Sequence, residues 1–242
     1  MIKAQHIPWA EKIFEMYINR LIRKHFYTLH LIGNLPSLVE NKPVLLLPNH
    51  RTWWDGFFIY TFIHHFYKRP LYIMMLEEEL KKYKFFAKLG AYSIQPGQPK
   101  SVLKSLQYSI SLLKNKQHPA PFVCIFPEGE LFSWGKIQPN FKKGIEWIIR
   151  KSDEPIIILI LSIYTTFVDQ QLPQVFFQLS RPEEVDTSNF QGLTYLEDLM
   201  AKTTSHLTAQ VEKKENGIIF LRGTKSVNQR WNLFRNQFII KK

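Results

Sequence analysis

Residues 44–55 read VLLLPNHRTWWD, an apolar run that ends at a proline and is followed by a polar turn. The apolar residues Val44–Leu47 predict a buried strand, and the aromatic run Phe57–Tyr67 predicts a buried helix. His50 and Asp55 are five residues apart, so they cannot share a face of one regular helix. They can meet only if His50 precedes the helix and Asp55 lies in its first turn, which is the arrangement that this segment predicts.

The same turn has a second interpretation. Thr52 and Asp55 have the spacing of a helix capping box, although such a box prefers glutamate or glutamine at its second position. In that case Asp55 caps the helix and His50 is an ordinary loop residue. A lone His-x4-Asp pattern does not choose between a functional pair and a cap, so the rest of the chain must decide.

The composition favours one well-filled α/β domain in a chain of 242 residues, of which 45% are hydrophobic and 14% aromatic. The 32 basic and 20 acidic residues give a net charge of +12. This charge predicts an anionic partner, such as lipid headgroups, nucleic acid or a phosphorylated substrate. The one cysteine, Cys124, cannot form an internal disulfide, and its apolar neighbours predict a buried thiol.

Strand-like and helix-like runs alternate along the chain, which predicts a mostly parallel sheet of about seven strands covered by helices on both faces. The predicted strands are Thr28–Ile32, Val44–Leu47, Leu71–Met75, Ala91–Ile94, Phe122–Phe126, Ile156–Leu161 and Val175–Leu179. The predicted helices are Trp53–Tyr67, Glu77–Leu89, Lys100–Leu113, Phe141–Arg150 and Tyr195–Lys213. In such a fold, ligands bind beyond the carboxyl ends of the strands.

Both ends of the chain are candidates for a membrane surface. From Trp9 to about His30 apolar residues recur at three- and four-residue steps among lysines and arginines, which predicts an amphipathic helix that packs on a core or lies in a membrane interface. We assign residues 1–27 to this helix and 28–242 to the α/β domain. The domain ends in a basic, aromatic tail from Lys213 to Lys242, which predicts binding to an anionic membrane or a nucleic acid, or a solvated helix end. The absence of a long apolar run and of a signal peptide predicts a peripheral protein on the cytoplasmic side of the membrane.

A second motif, Phe126-Pro127-Glu128-Gly129, directly follows a predicted strand. Its glycine permits a tight turn, which would present Glu128 at the same edge of the sheet as His50. Alone, the motif is ordinary turn chemistry.

Together the two motifs resemble the glycerophospholipid acyltransferase superfamily, of which 1-acylglycerol-3-phosphate acyltransferase is the best-known member. The resemblance rests on Asn49 to Asp55, Phe126 to Gly129 and Phe141-Lys142-Lys143-Gly144. It implies transfer of an acyl group from acyl-CoA or acyl carrier protein to a hydroxyl of a lyso-lipid. It implies no metal and no cofactor beyond this co-substrate, an anionic membrane surface as partner, and no nucleic acid.

The resemblance also implies residue roles. His50 would be the general base, and Asp55 would orient it and stabilise the imidazolium that forms. The predicted substrate-binding residues are Asn49, Arg51, Thr52, Phe126, Glu128, Gly129, Glu130, Lys142 and Lys143.

The chain departs from the family pattern at two places that bind phosphate in many relatives. Those relatives continue the second motif with Thr-Arg, where this chain has Glu130-Leu131, and they carry an arginine near the position of Gln95. Lys142, Lys143 or Arg51 could replace the missing guanidinium groups. The departures favour another acceptor, such as a lyso-lipid with a different headgroup, an amino-lipid or a glycosylated lipid.

Two other functions compete with this one. A non-catalytic module that binds membrane or RNA explains the positive charge but leaves both motifs as coincidence. A metal hydrolase that uses His50, Asp55 and Glu128 is a weaker hypothesis. The acidic run Glu77–Glu79, followed by lysines, is predicted to be a solvated helix face.

Overall fold

The computed structural model describes residues 1–115, 117–133, 138–215 and 217–224. The strands are β1 Thr28–Leu31, β2 Val44–Pro48, β3 Leu71–Leu76, β4 Ala91–Ile94, β5 Phe122–Cys124, β6 Ile156–Thr166, β7 Gln174–Leu179, β8 Glu183–Val185 and β9 Ile218–Arg222. The helices are α1 Pro8–His25, α2 Asp55–Phe66, α3 Glu77–Lys82, α4 Pro99–Leu113, α5 Gly144–Lys151 and α6 Leu193–Glu212, with a short 3-10 helix at Lys84–Lys88.

One mixed sheet, in the order β4-β3-β5-β2-β6-β7-β1-β9, forms the centre of the fold. The five strands from β4 to β6 are parallel to their neighbours. Beyond them, β7 is antiparallel to β6, β1 is parallel to β7, and β9 is antiparallel to β1. The predicted α/β fold with a mostly parallel sheet is therefore confirmed.

The sheet has two strands more than the seven that the sequence predicted. The three residues of β8 pair antiparallel with the first part of β6, and they include two glutamates, which are unusual in strands. Strand β9 is a partly exposed edge strand within the basic segment assigned to the tail. Strand β8 has no apolar run, whereas β9 has a short one at residues 218–221 that is not among the predicted strands.

Alternate residues of β2 face two separate cores, so the sheet is the middle layer of three. Val44 and Leu46 pack in the core beneath α1 and α2. Leu45 and Leu47 pack in the core beneath α4, α5 and α6. All four are fully buried, which is why this strand is apolar throughout rather than alternating.

Helix α1 is shorter than the predicted Trp9–His30, because the chain becomes extended at Phe26 and enters β1. Its inner face packs on the core through Ala10, Phe14, Ile18 and Ile22. Its outer face exposes Trp9, Ile13, Met16 and Tyr17. Among the described residues, no helix is both long enough and apolar enough to cross a membrane.

Three other predictions need correction or fall outside the structure. The carboxylate of Glu77 is buried, not solvated, because it accepts a hydrogen bond from Ser93 and pairs with Lys81 and the N-terminal amine. The predicted helix 77–89 is divided into α3 and the 3-10 helix. Residues 225–242, which hold most of the predicted aromatic tail, lie outside the described residues.

Candidate active site

The two motifs lie side by side at the carboxyl edge of the sheet. Strands β2 and β5 are parallel neighbours, with Leu46 opposite Cys124. His50 follows the end of β2, and Glu128 follows the end of β5. The sequence placed both residues at this edge, and the structure confirms that position.

Asn49 anchors the turn before His50 to strand β6. Its amide nitrogen donates to the Ile163 carbonyl at 2.9 Å, and its amide oxygen accepts from the Ile163 N–H at 2.8 Å. The side chain thereby continues the β2–β6 ladder by mimicking a backbone peptide. Asn49 is almost completely buried, so its amide fixes the backbone rather than forming an exposed substrate-binding surface.

His50 and Asp55 meet as the sequence predicted. The Nδ1 atom of His50 lies 2.9 Å from Oδ2 of Asp55. The same oxygen accepts the backbone N–H groups of Arg51 at 2.7 Å and Thr52 at 2.9 Å, and Oδ1 accepts the Thr52 hydroxyl at 2.7 Å. A carboxylate oxygen that accepts from two backbone donors can only accept from the imidazole as well, so Nδ1 carries a proton, and in the neutral tautomer Nε2 carries the lone pair.

The capping interpretation is confirmed only in part. Thr52 donates its backbone N–H to Asp55, as in a capping box, but its hydroxyl accepts the N–H of Trp54 at 3.2 Å rather than that of Asp55. Helix α2 begins at Asp55, and its N-cap residue, Trp54, forms no side-chain capping bond. The bonds from Thr52 hold a carboxylate that is 1% exposed against an imidazole that is 23% exposed, so this turn aims Asp55 at the histidine.

The second motif contacts the histidine from another side. The Phe126 ring stacks on the imidazole, with 4.1 Å between ring centroids and 26° between the planes. Gly129 closes the turn by donating its N–H to the Phe126 carbonyl, and its φ of +71° is in the region that favours glycine. The N–H of Phe132 donates to the His50 carbonyl at 3.1 Å, a backbone contact that no residue pattern in the sequence predicts.

Arg51 and Glu128 form a buried ion pair between the two turns. The distance from the guanidinium Nη1 to the Glu128 Oε2 is 3.2 Å, and the side chains are 5% and 1% exposed. The suggestion that Arg51 replaces a missing phosphate-binding arginine is therefore wrong for this structure, because its guanidinium faces a carboxylate in the interior. The sequence brought these residues to one edge but gave no indication that they pair.

The remaining predicted substrate-binding residues lie at the rim of the site. Lys142 Nζ is 3.2 Å from Glu130 Oε1, and both side chains are exposed. The backbone N–H of Lys142 donates to the Pro127 carbonyl at 2.8 Å, which holds the start of α5 against the second motif. Lys143 is exposed at the N-terminus of α5. An exposed ion pair of this kind stabilises the fold little, so its charges are open to a ligand.

Neither a cysteine nucleophile nor a metal cluster is present at this edge in the part of the chain that the structure describes. Cys124 is fully buried on β5, and burial raises the pKa of its thiol, which keeps it protonated. No three histidine, cysteine, aspartate or glutamate side chains gather in a way that could hold a metal ion among the described residues. The partly exposed imidazole of His50 is therefore the candidate group for chemistry at this edge.

Comparison with known proteins identifies the family. The family model described as Acyltransferase matches residues 27–162, which is more than half of the chain and spans β1 through most of β6. The chain belongs to the acyltransferase family. Both motif turns lie within the matched region, and the resemblance to the glycerophospholipid acyltransferase superfamily is confirmed.

A solved acyltransferase shares the fold. The chain is similar to the 1-acyl-sn-glycerophosphate (LPA) acyltransferase PlsC from Thermotoga maritima, with 21% sequence identity and a TM-score of 0.55. The similarity covers 84% of this chain and 79% of that one. No curated protein sequence matches the chain. At this identity the likeness establishes the shared α/β architecture, whereas the acyl donor and acceptor must be argued from the site.

Proposed function

We propose that the chain is a peripheral membrane enzyme that transfers a fatty acyl group from acyl-CoA or acyl carrier protein to a hydroxyl of a lyso-lipid. The observation that carries this proposal is the His50–Asp55 pair, 2.9 Å apart, with its open nitrogen at the carboxyl edge of the sheet. Membership of the acyltransferase family supports the reaction type. A non-catalytic binding module would leave this pair without a purpose.

The proposed reaction uses the neutral tautomer of His50 with its proton on Nδ1. Its Nε2 removes the proton of the acceptor hydroxyl while the oxygen attacks the thioester carbonyl. The carboxylate of Asp55 stabilises the imidazolium that forms. When the tetrahedral intermediate collapses, the carbon–sulfur bond breaks, and the imidazolium returns its proton to the leaving thiolate. The products are the ester and the free thiol, and the base is regenerated.

The outer face of α1 supports docking on a membrane. Trp9, Ile13, Met16 and Tyr17 are exposed there, and Arg20 follows Met16 by four residues on the same face. Tryptophan, aromatic and basic side chains of this kind anchor a helix at the interface of an anionic membrane. We therefore retain residues 1–27 as an interface helix on the cytoplasmic surface, with the basic, aromatic tail as a second anchor.

Aromatic contacts connect this helix to the catalytic turn. The exposed Trp53 ring lies 4.9 Å from Phe57, Phe57 lies 6.0 Å from Phe14, and Phe14 lies 6.4 Å from Tyr17, measured between ring centroids. A membrane that meets Tyr17 therefore also approaches Trp53, three residues from His50. This arrangement supports access of lipid substrates from the membrane.

The rim favours an acceptor without a phosphomonoester. Leu131 stands where the arginine of many relatives would bind phosphate, and Glu130 directly before it engages Lys142. Arg51 is held by Glu128 in the interior. A phosphate dianion would meet one carboxylate and compete with it for a lysine. A hydroxyl could donate to Glu130 and accept from Lys142, and an ammonium group could donate to Glu130. We propose a lyso-lipid with another headgroup, an amino-lipid or a glycosylated lipid as acceptor.

The test is a comparison of thiol release by wild type, His50→Gln and the control His118→Gln, whose side chain is exposed on the surface. Vesicles would contain lysophosphatidate, another lyso-phospholipid or a glycosylated lipid, with palmitoyl-CoA or palmitoyl-acyl carrier protein as donor. We expect release that depends on the acceptor, reduced by about 10²–10⁴-fold in His50→Gln alone. Equal rates for wild type and His50→Gln would disprove the mechanism, and a clear preference for lysophosphatidate would disprove the acceptor proposal.

A further inference from the structure

The buried pair of Arg51 and Glu128 joins the two halves of the site. Arg51 directly follows His50 in the turn after β2, and Glu128 lies two residues after Phe126 in the turn after β5. The pair is 3.2 Å apart and closed to solvent. It is thus a second side-chain link, beside the His50–Phe126 stack, between the turn that carries the base and the turn whose ring stacks on that base.

Stability alone does not account for this pair. Removing two charges from water is costly, and well-packed apolar side chains of similar volume often serve a protein interior equally well or better. An ion pair differs from an apolar contact because it joins one specific pair of atoms, here Nη1 of Arg51 and Oε2 of Glu128 at 3.2 Å. Its contribution is therefore a defined distance between the two turns.

We infer that Arg51 and Glu128 are a positioning pair for the catalytic base, rather than a binding site for the acceptor. This inference rests on the proposed function of His50. Asp55 holds the imidazole at Nδ1, and the Phe126 ring limits its rotation from one face. The pair keeps Phe126 against His50, so that Nε2 stays directed at the open side of the site. A displacement of about 1 Å at such a point reduces a rate by about 10²-fold.

Steady-state kinetics separates positioning from binding. The variants are Arg51→Glu, Glu128→Arg, the charge-exchanged double variant, and the apolar double variant Arg51→Met/Glu128→Leu. Because the single variants leave a buried charge and could unfold, the apolar double variant is the decisive one. The matched control is Arg150→Met/Glu146→Leu, which removes a pair at 2.7 Å that lies on the exposed face of α5.

We expect the apolar double variant to stay folded by circular dichroism, with kcat about 10²-fold lower and the acceptor KM within about threefold of wild type. The charge-exchanged variant should recover at least about tenfold in kcat over the folded single variants. The control should keep wild-type kcat. A raised acceptor KM at unchanged kcat would show that the pair binds substrate, and wild-type kcat in the apolar variant would show that positioning does not need it.

A measurement on the resting protein keeps this inference distinct from the proposed function. The Phe126 ring current shifts the His50 ring protons upfield in the NMR spectrum, and these signals are assigned by their loss in His50→Gln. We expect the shift to disappear in the apolar double variant and to return in the charge-exchanged one. If wild type transfers no acyl group, the proposed function fails while this spectrum still tests the pair. An unchanged spectrum in the apolar variant overturns the inference, whatever the activity.

Discussion

Replacing Asp55 by asparagine keeps the shape of the side chain and removes its charge. The Oδ2 position accepts the N–H groups of both Arg51 and Thr52, so the amide oxygen will occupy it and the amide nitrogen will face the Thr52 hydroxyl. That hydroxyl can accept a hydrogen bond instead of donating one. The start of α2 and the Nδ1–H tautomer of His50 should therefore survive, which isolates the effect of the charge.

The size of the effect follows from the 2.9 Å contact between the imidazole and the carboxylate. Both charges are delocalised, and two unit charges roughly 4 Å apart attract by about 4 kcal/mol at an effective dielectric constant of about 20. The attraction exists only when the imidazolium forms, so it lowers the barrier and not the ground state. Its loss corresponds to about a 10³-fold decrease in kcat, since about 1.4 kcal/mol is a factor of ten.

The assay is thiol release from acyl-CoA in the presence of acceptor vesicles, together with thermal unfolding of each variant. The control is Asp153→Asn, which removes an exposed carboxylate on the surface. We expect Asp55→Asn to lose about 10³-fold in kcat with little change in its unfolding midpoint. A decrease in kcat of less than tenfold would refute the electrostatic role of Asp55. Its remaining role would be to hold the turn by accepting the backbone N–H groups of Arg51 and Thr52.

Three further outcomes can be measured. Hydrogen bonds from Lys81 and Ser93 lower the pKa of Glu77 to about 2, so its stabilisation is complete above the usual value of 4.5 and is lost as the pH falls from there to about 2. Glu77→Gln should therefore be less stable than wild type or the exposed control Glu78→Gln at pH 7, with a difference that shrinks in acid; a constant difference would contradict the assignment. Gly129→Ala places a side chain at a φ of +71°, a backbone conformation that side chains disfavour. The substitution should therefore lower the free energy of unfolding by about 1 kcal/mol or more and reduce activity. If neither quantity changes, the turn can adopt another backbone conformation without loss. Met16→Glu should weaken binding to anionic vesicles by about 10-fold or more, whereas Val39→Glu, exposed elsewhere, should not; equal binding by both would exclude α1 as the interface.

Much of the site could be predicted from residues close in the chain. Val44–Leu47 is apolar throughout because both faces of β2 are covered, and that pattern located the strand whose end carries His50. The turn chemistry of Phe126–Gly129 located the end of β5. Since parallel strands end at one edge, these two observations were enough to bring the motifs together.

The remainder depends on contacts that side-chain patterns do not encode. The apolar sequence of β7 does not reveal that the strand is antiparallel to β6. A strand that is covered on both faces has the same continuous apolar pattern whether it is parallel or antiparallel to its neighbour. The bond from the Phe132 N–H to the His50 carbonyl involves only backbone atoms. Several acidic residues lie near this edge, and the sequence does not indicate which of them pairs with Arg51. The comparison of motifs suggested that Arg51 binds a substrate phosphate instead.

One face of helix α1 packs on the core and the other is exposed, and this limits how the helix could bind to a bilayer. Peeling the helix away would expose Phe14, Ile18 and Ile22, so the helix and the α/β body must move together. In the proposed interface position, α1 sinks by about 5–10 Å and carries the α/β body with it, so the body does not follow a lipid deeper into the bilayer. On that proposal, the acceptor rises toward His50 rather than His50 descending to the acceptor. Exposing methylene groups to water costs about 0.8 kcal/mol each, so a lipid with one chain rises far more easily than a lipid with two. The rigidity of α1 would thus select single-chain acceptors before any headgroup is bound.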